Sequence, residues 1–94
     1  MSEPDIAQSH LRETRQALDK TQRRLHAVRE ERRPEAQFDG APSLATCQDL
    51  ISHASHLSHD AEVALDLGFL DAAQFLIDLG MSYVHQAEAC LASL

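Results

Sequence analysis

The sequence has no Trp, one Tyr and three Phe, so aromatics make up only 4% of its 94 residues. A core built without them must be aliphatic and alanine-rich, which favours close helix packing over a sheet. Three Gly and three Pro are too few for a turn-rich all-β fold and too few for disorder throughout. Two cysteines, Cys47 and Cys90, do not make a disulfide framework. No apolar run approaches the ~20 residues that span a bilayer, so no membrane contact is expected. The opening Met1-Ser2-Glu3-Pro4-Asp5-Ile6-Ala7-Gln8 has neither the basic nor the apolar region of a secretory signal. The expectation is a cytoplasmic chain with reduced thiols. A Gly-rich phosphate loop and a Gly-x-Ser-x-Gly elbow are also missing, and neither cysteine falls on a polar face beside a base. No enzyme activity and no cofactor are expected.

Positive charge is missing from most of the chain. All eight Lys and Arg lie between Arg12 and Arg33, and the nine carboxylates after Arg33 face no base in the sequence. The net charge is −7. Such asymmetry permits attraction between copies, or a basic partner for the acidic body.

What is present is helical periodicity in three blocks: residues 1–33, a connector at 34–42, and residues 43–94. In the first block Leu11, Leu18 and Leu25 recur every seven residues, with Ala7, Thr14, Thr21 and Val28 at the complementary heptad positions. This is a coiled-coil-like seam, thinned by two Thr. Ser2, Pro4 and the acidic Glu3 and Asp5 mark a helix start, and one helix is predicted over Glu3 to Arg32. Pro34 and Asp39-Gly40 break it, and Phe38 is expected to anchor the connector.

The third block reads as an antiparallel helical hairpin. Ser43 caps its first helix, or Pro42 begins it. Leu44, Cys47, Leu50, Ile51, Ala54, Leu57, Ala61, Ala64 and Leu65 alternate spacings of three and four, which defines one apolar face. Gly68 supplies the left-handed residue that ends the helix. Asp71 and Gln74 read as a capping box, and Leu70 and Phe75 as a hydrophobic staple. Folding about residue 69 sets Leu65 against Ala73, Ala61 against Ile77, Ala54 against Val84, and Cys47 near Leu91 and Cys90. A disulfide there is geometrically allowed, but two buried thiols are expected in a reducing compartment.

The last helix carries more apolar circumference than one partner covers. Leu76, Ile77, Gly80, Val84, Ala87 and Leu91 are therefore the expected oligomer interface. The predicted architecture is all-α, with the hairpin dimerising into a four-helix bundle. The function this implies is a non-enzymatic protein–protein interaction module, such as a small regulator, adaptor or inhibitor, that pairs with a second copy and with another protein.

Two other chemistries are open to these residues. Arg23, Arg24, Arg29, Arg32 and Arg33 offer nucleic-acid contacts, although Glu30 and Glu31 interleave with them and no aromatic is available for base stacking. The Ser-His-x triplet at Ser52–His59 places His53 level with His85, with Asp49 and Glu88 a turn away. Those four side chains are candidate metal ligands, but their spacing matches no zinc signature.

A Phe followed by a Gly-x-Pro turn (Phe38, Gly40-Ala41-Pro42) precedes an Ala/Leu/Ser-rich helix with an Asp60-Ala61 step. A helix running from Ala73-Gln74-Phe75-Leu76 to Met81 follows. Residues 38–91 thereby resemble a group of short uncharacterised helical proteins of Pseudomonas and relatives. The resemblance implies a helical hairpin in a bacterial cytoplasm and adds no site residue.

Overall fold

The computed structural model describes residues 3–31 and 42–93. Three helices account for nearly all of them: α1 (Glu3–Glu31), α2 (Pro42–Asp66) and α3 (Leu70–Ala92). No strand occurs among the described residues. Residues 32–41, which include Arg32, Arg33 and Phe38, the predicted Ser2 cap and the side chain of Ser43 lie outside what is described. Each helix touches the other two, and together they form a rod of 49 × 18 × 17 Å.

Cross-helix pairs give the directions. Arg15 meets Glu62 and Arg29 meets Gln48, so α1 runs antiparallel to α2. His10 meets Gln74 and Thr21 meets Glu88, so α1 runs parallel to α3. Cys47 is joined to Cys90, and His53 lies against Tyr83, so α2 and α3 form the antiparallel hairpin in the predicted register. The rod therefore has a closed end at the α2–α3 turn, where α1 also begins, and an open end where α1 stops and α2 starts.

The heptad seam of α1 packs on its own hairpin. Ala7, Leu11, Thr14, Leu18, Thr21 and Leu25 are all buried, and Val28 is half-buried against the same core. The two threonines are accommodated because their hydroxyls donate to backbone carbonyls one turn earlier. Thr14 reaches His10 O at 2.9 Å and Thr21 reaches Ala17 O at 2.8 Å. These bonds remove the cost of burying an unpaired polar group.

The core divides into two clusters. The larger, towards the open end, joins Leu18, Leu25, Cys47, Ile51, Ala54, Val84, Ala87 and Leu91. The smaller, near the closed end, joins Ala7, Leu11, Ala61 and Ile77. Between them is a waist of small or polar side chains, where Gly80 faces Leu57 and Thr14. Ser58 follows Leu57 and is buried with no hydrogen-bond partner for its hydroxyl among the described residues. The apolar pattern of α2 pointed to Leu57 as core; in the structure Leu57 is half-buried and Ser58 takes the inner position.

The closed end departs from its predicted chemistry. Gly68 is left-handed, with φ +83°. Its N–H donates to Leu65 O at 3.0 Å, and the Phe69 N–H donates to Ala64 O at 2.9 Å. This pair of bonds is a Schellman motif. The Ala73 N–H then donates to Phe69 O, so Phe69 is the N-cap of α3 and contributes no side-chain cap. The turn is too short for a separate Asp71 cap. Asp71 sits inside the first turn, where its charge still complements the helix dipole, and Gln74 bonds Asp78 at 3.0 Å. Phe75 is exposed, so neither the capping box nor the staple forms.

The cysteines correct a second expectation. Cys47 and Cys90 form a disulfide, with Cα atoms 5.8 Å apart, and neither is a free thiol. The hairpin register brings them together, and the expectation of reduced thiols came from the assumed compartment, not from geometry.

Candidate interaction surface

The residues expected to form an oligomer core are occupied within one chain. Ile77, Gly80, Val84, Ala87 and Leu91 are buried, and Leu76 packs half-buried on the smaller cluster. Tyr83, Met81 and Cys90 also pack on the core. The surplus apolar circumference of α3 is thus covered largely by α1, which lies along it in parallel, and by the flank of α2.

What remains uncovered lies towards one end of the rod. The exposed large hydrophobic residues among those described are Ile6, Val63, Leu67, Phe69 and Phe75, at 41%, 44%, 64%, 60% and 65% of full exposure. Ile6 lies in the first turn of α1 and Val63 in the last turn of α2. Leu67 and Phe69 flank the hinge glycine, and Phe75 lies in the second turn of α3. At 1.5 Å rise per residue, all five fall within about 8 Å of the closed end of their helices. The Schellman turn is the local cause: it fixes the Phe69 backbone through Ala64 and leaves both neighbours of Gly68 facing solvent. Beside them a cleft of about 210 Å³ opens between the starts of α1 and α3, lined by Ile6, Ala7, Leu70, Asp71 and Gln74.

A second concavity, of about 440 Å³, runs between α1 and α2 past Arg12, Arg15, Gln16, Asp19 and Glu62. Its charges answer one another. Arg15 donates to Glu62, and that guanidinium, through its hydrogen bond first and its charge second, holds the Glu62 carboxyl below its ordinary range. Leu11 and Leu65 lie along its floor, but its walls carry paired opposite charges, so few polar groups are left to orient a small molecule.

Among the described residues, the proposed nucleic-acid contacts Arg23, Arg24 and Arg29 do not form one basic face. Arg23 pairs with Asp19 at 3.0 Å along α1, whereas Arg29 turns towards α2 and reaches Gln48 at 3.3 Å. Arg24 is exposed, and Arg32 and Arg33 lie outside the described residues.

The four candidate metal ligands are also kept apart. Glu88 is half-buried on the α1 side of α3, where Thr21 approaches it at 3.5 Å. His53 sits on the α2–α3 flank, its ring centroid 5.3 Å from that of Tyr83, so its ring neighbour is Tyr83, not His85. Asp49 and His85 are exposed. Among the described residues no three His, Cys, Asp or Glu come together as a metal site. Neither cysteine is a free nucleophile, because the two sulfurs are bonded to each other.

The closed-end cluster is the feature that sequence reasoning missed. Its signal was present in Leu67-Gly68-Phe69, two large apolar residues either side of a left-handed glycine. A turn that tight has no interior in which to bury them.

No helix among the described residues is long and apolar enough to cross a membrane. No protein family, curated protein or solved structure matches the chain.

Proposed function

We propose that this chain is a non-enzymatic protein–protein interaction module, in the manner of a small adaptor or regulator, and that it docks through the closed end of the rod. The observation that carries this reading is the gathering of Ile6, Val63, Leu67, Phe69 and Phe75 at that end. Side chains of this size and exposure together present on the order of 500 Å² of apolar surface near one end, and exposed apolar surface of that amount marks interaction sites. None of the five is needed to complete the core, which closes without them. Self-association through the hairpin stripe loses its driving force once α1 covers that stripe, so the docking surface moves from the flank of α3 to the hinge.

Differential capture tests the reading. The full chain and its Phe69→Ser/Phe75→Ser variant are each immobilised and offered the same native extract. Exposed substitutions of this kind change stability little, and equal helicity by circular dichroism establishes that both are folded. Proteins retained by the parent chain and lost by the variant support the reading. An identical retained set for both overturns it.

A further inference from the structure

Resting on that docking reading, we infer that the occupant of the closed end is a cationic amphipathic helix of another protein. The first argument is charge. Asp66 and Asp71 flank the hinge, in the turns that carry the apolar side chains. Asp60, Glu62 and Asp78 follow within the next turns. Against them, the Lys and Arg of α1 on this side of Thr14 reduce to Arg12, joined just past that level by Arg15, and Arg15 is engaged by Glu62. An apolar patch rimmed by one sign of charge selects a partner of the opposite sign.

The second argument excludes a second copy. A two-fold contact sets the same patch against itself, so Asp66 and Asp71 of one chain would face those of the other across an apolar seam. Like charges held together at an interface disfavour the contact. The same acidity repels an anionic lipid surface.

The third argument is shape. The end of the rod measures 18 × 17 Å. A helix laid across 18 Å makes contact over about 12 residues, or three turns. Its apolar residues at spacings of three and four would rest on Phe69, Phe75 and the Ile6 cleft, with Lys or Arg on its flanks reaching Asp66 and Asp71. No strand edge is offered among the described residues, so the helix-on-apolar-surface mode applies and not strand addition.

The test uses the full chain and three synthetic fluorescein-labelled peptides of roughly four turns. One is amphipathic with Leu on one face and Lys on the other. The second replaces each Lys by Glu, and the third scrambles the Leu/Lys order. Anisotropy is read at low and at physiological salt. The inference expects the amphipathic Lys peptide to bind at least about tenfold more tightly than either control. It expects that binding to weaken with salt and to fall by about the same factor in Phe69→Ser/Phe75→Ser, which keeps the net charge. Asp66→Asn/Asp71→Asn should weaken the Lys peptide and leave the Glu peptide unchanged or improved.

Equal binding of the Lys and Glu peptides, both lost in the Phe variant, overturns the charge inference while the docking reading stands. Lys-peptide binding that survives in the Phe variant is diffuse attraction to an acidic protein, and overturns the inference. Concentration-dependent dimerisation of the parent chain that the Phe variant abolishes identifies a second copy as the occupant and overturns it as well. Binding of none of the peptides overturns it too, with the docking reading then decided by the differential capture alone.

Discussion

Gly80 faces Thr14 across the waist of the core with room for one more methyl group. A Cβ on Gly80 would lie 3.9 Å from Thr14 Cγ2, 3.8 Å from Ala54 O and 3.6 Å from Leu57 Cβ, all ordinary van der Waals distances. The close packing at the waist thus does not require a glycine. Gly80→Ala should therefore recover most of the ~1 kcal/mol that glycine costs inside a helix. Urea unfolding should show a higher midpoint with an unchanged slope. A lower midpoint would mean that the waist is tighter than these distances.

The neighbouring Ser58 gives a second stability prediction. Its hydroxyl is buried and has no hydrogen-bond partner among the described residues. Leaving such a group unsatisfied costs about 1–3 kcal/mol. Ser58→Ala removes the hydroxyl and little volume, so it should stabilise the chain by about 1 kcal/mol, again read from urea unfolding. Destabilisation would show that the hydroxyl is satisfied in solution.

These two residues mark where the fold was legible and where it was not. The seam from Ala7 to Leu25 was readable because a seven-residue repeat leaves one stripe to bury, and all six of its positions are buried. The hinge was readable because only glycine adopts φ +83° at low cost. The hairpin register followed from the hinge and brought Cys47 to Cys90. Three things were not readable. Whether α1 covers its own hairpin or another copy depends on the path of the connector, which periodicity does not encode. The Asp71/Gln74 box competed with a Schellman turn two residues tighter, and backbone bonds from Gly68 and Phe69 took precedence. The candidate site was hardly legible at all, since Phe75 had been assigned to a staple and Leu67 and Phe69 to the hinge.

Leu18 tests whether α1 belongs to the same molecule as the hairpin it covers. It is buried in the larger cluster beside residues of α2 and α3. Leu18→Ala should cost about 2–5 kcal/mol. Because the contact lies within one chain, both the parent and the variant midpoint should be independent of protein concentration. Midpoints that rise with concentration would place α1 on a second copy.

Glu62 supplies the pH dependence. Arg15 bonds it and lowers its carboxyl below the ordinary range. The folded value then lies below the unfolded one, so the pair stabilises the fold at pH above the unfolded value, and that stabilisation is lost as pH falls through the folded one. The two side chains are 45% and 48% exposed, which keeps the effect small and sensitive to salt. Comparing the parent chain with Glu62→Gln should show a slight advantage for the parent at neutral pH, disappearing in acid and in high salt. An advantage that persists unchanged into acid would rule out the charged pair as its source.

The Cys47–Cys90 bond carries the largest stability effect. It joins α2 and α3 across a sequence separation of 43 residues, and closing a loop of that size in the unfolded chain is worth about 4 kcal/mol in the chain-entropy treatment. It also holds the end of the hairpin that the Schellman turn does not. The closed end is fixed by the bonds of Gly68 and Phe69, whereas the open end has the disulfide and the packing around Ile51, Ala87 and Leu91. Cys47→Ala/Cys90→Ala should therefore lose roughly 2–4 kcal/mol and do so unevenly. Amide exchange should accelerate most from Val84 to Ala92 and least from Ala73 to Ile77. Because Cys47 is fully buried, attack by an added dithiol should fall on the more accessible Cys90 or await local opening, so reduction of the native protein should be slow and should quicken in urea. Once reduced, the parent chain should unfold at nearly the variant's midpoint. Identical midpoints with and without reductant, after mass spectrometry has confirmed cleavage of the bond, would show that packing alone holds the open end.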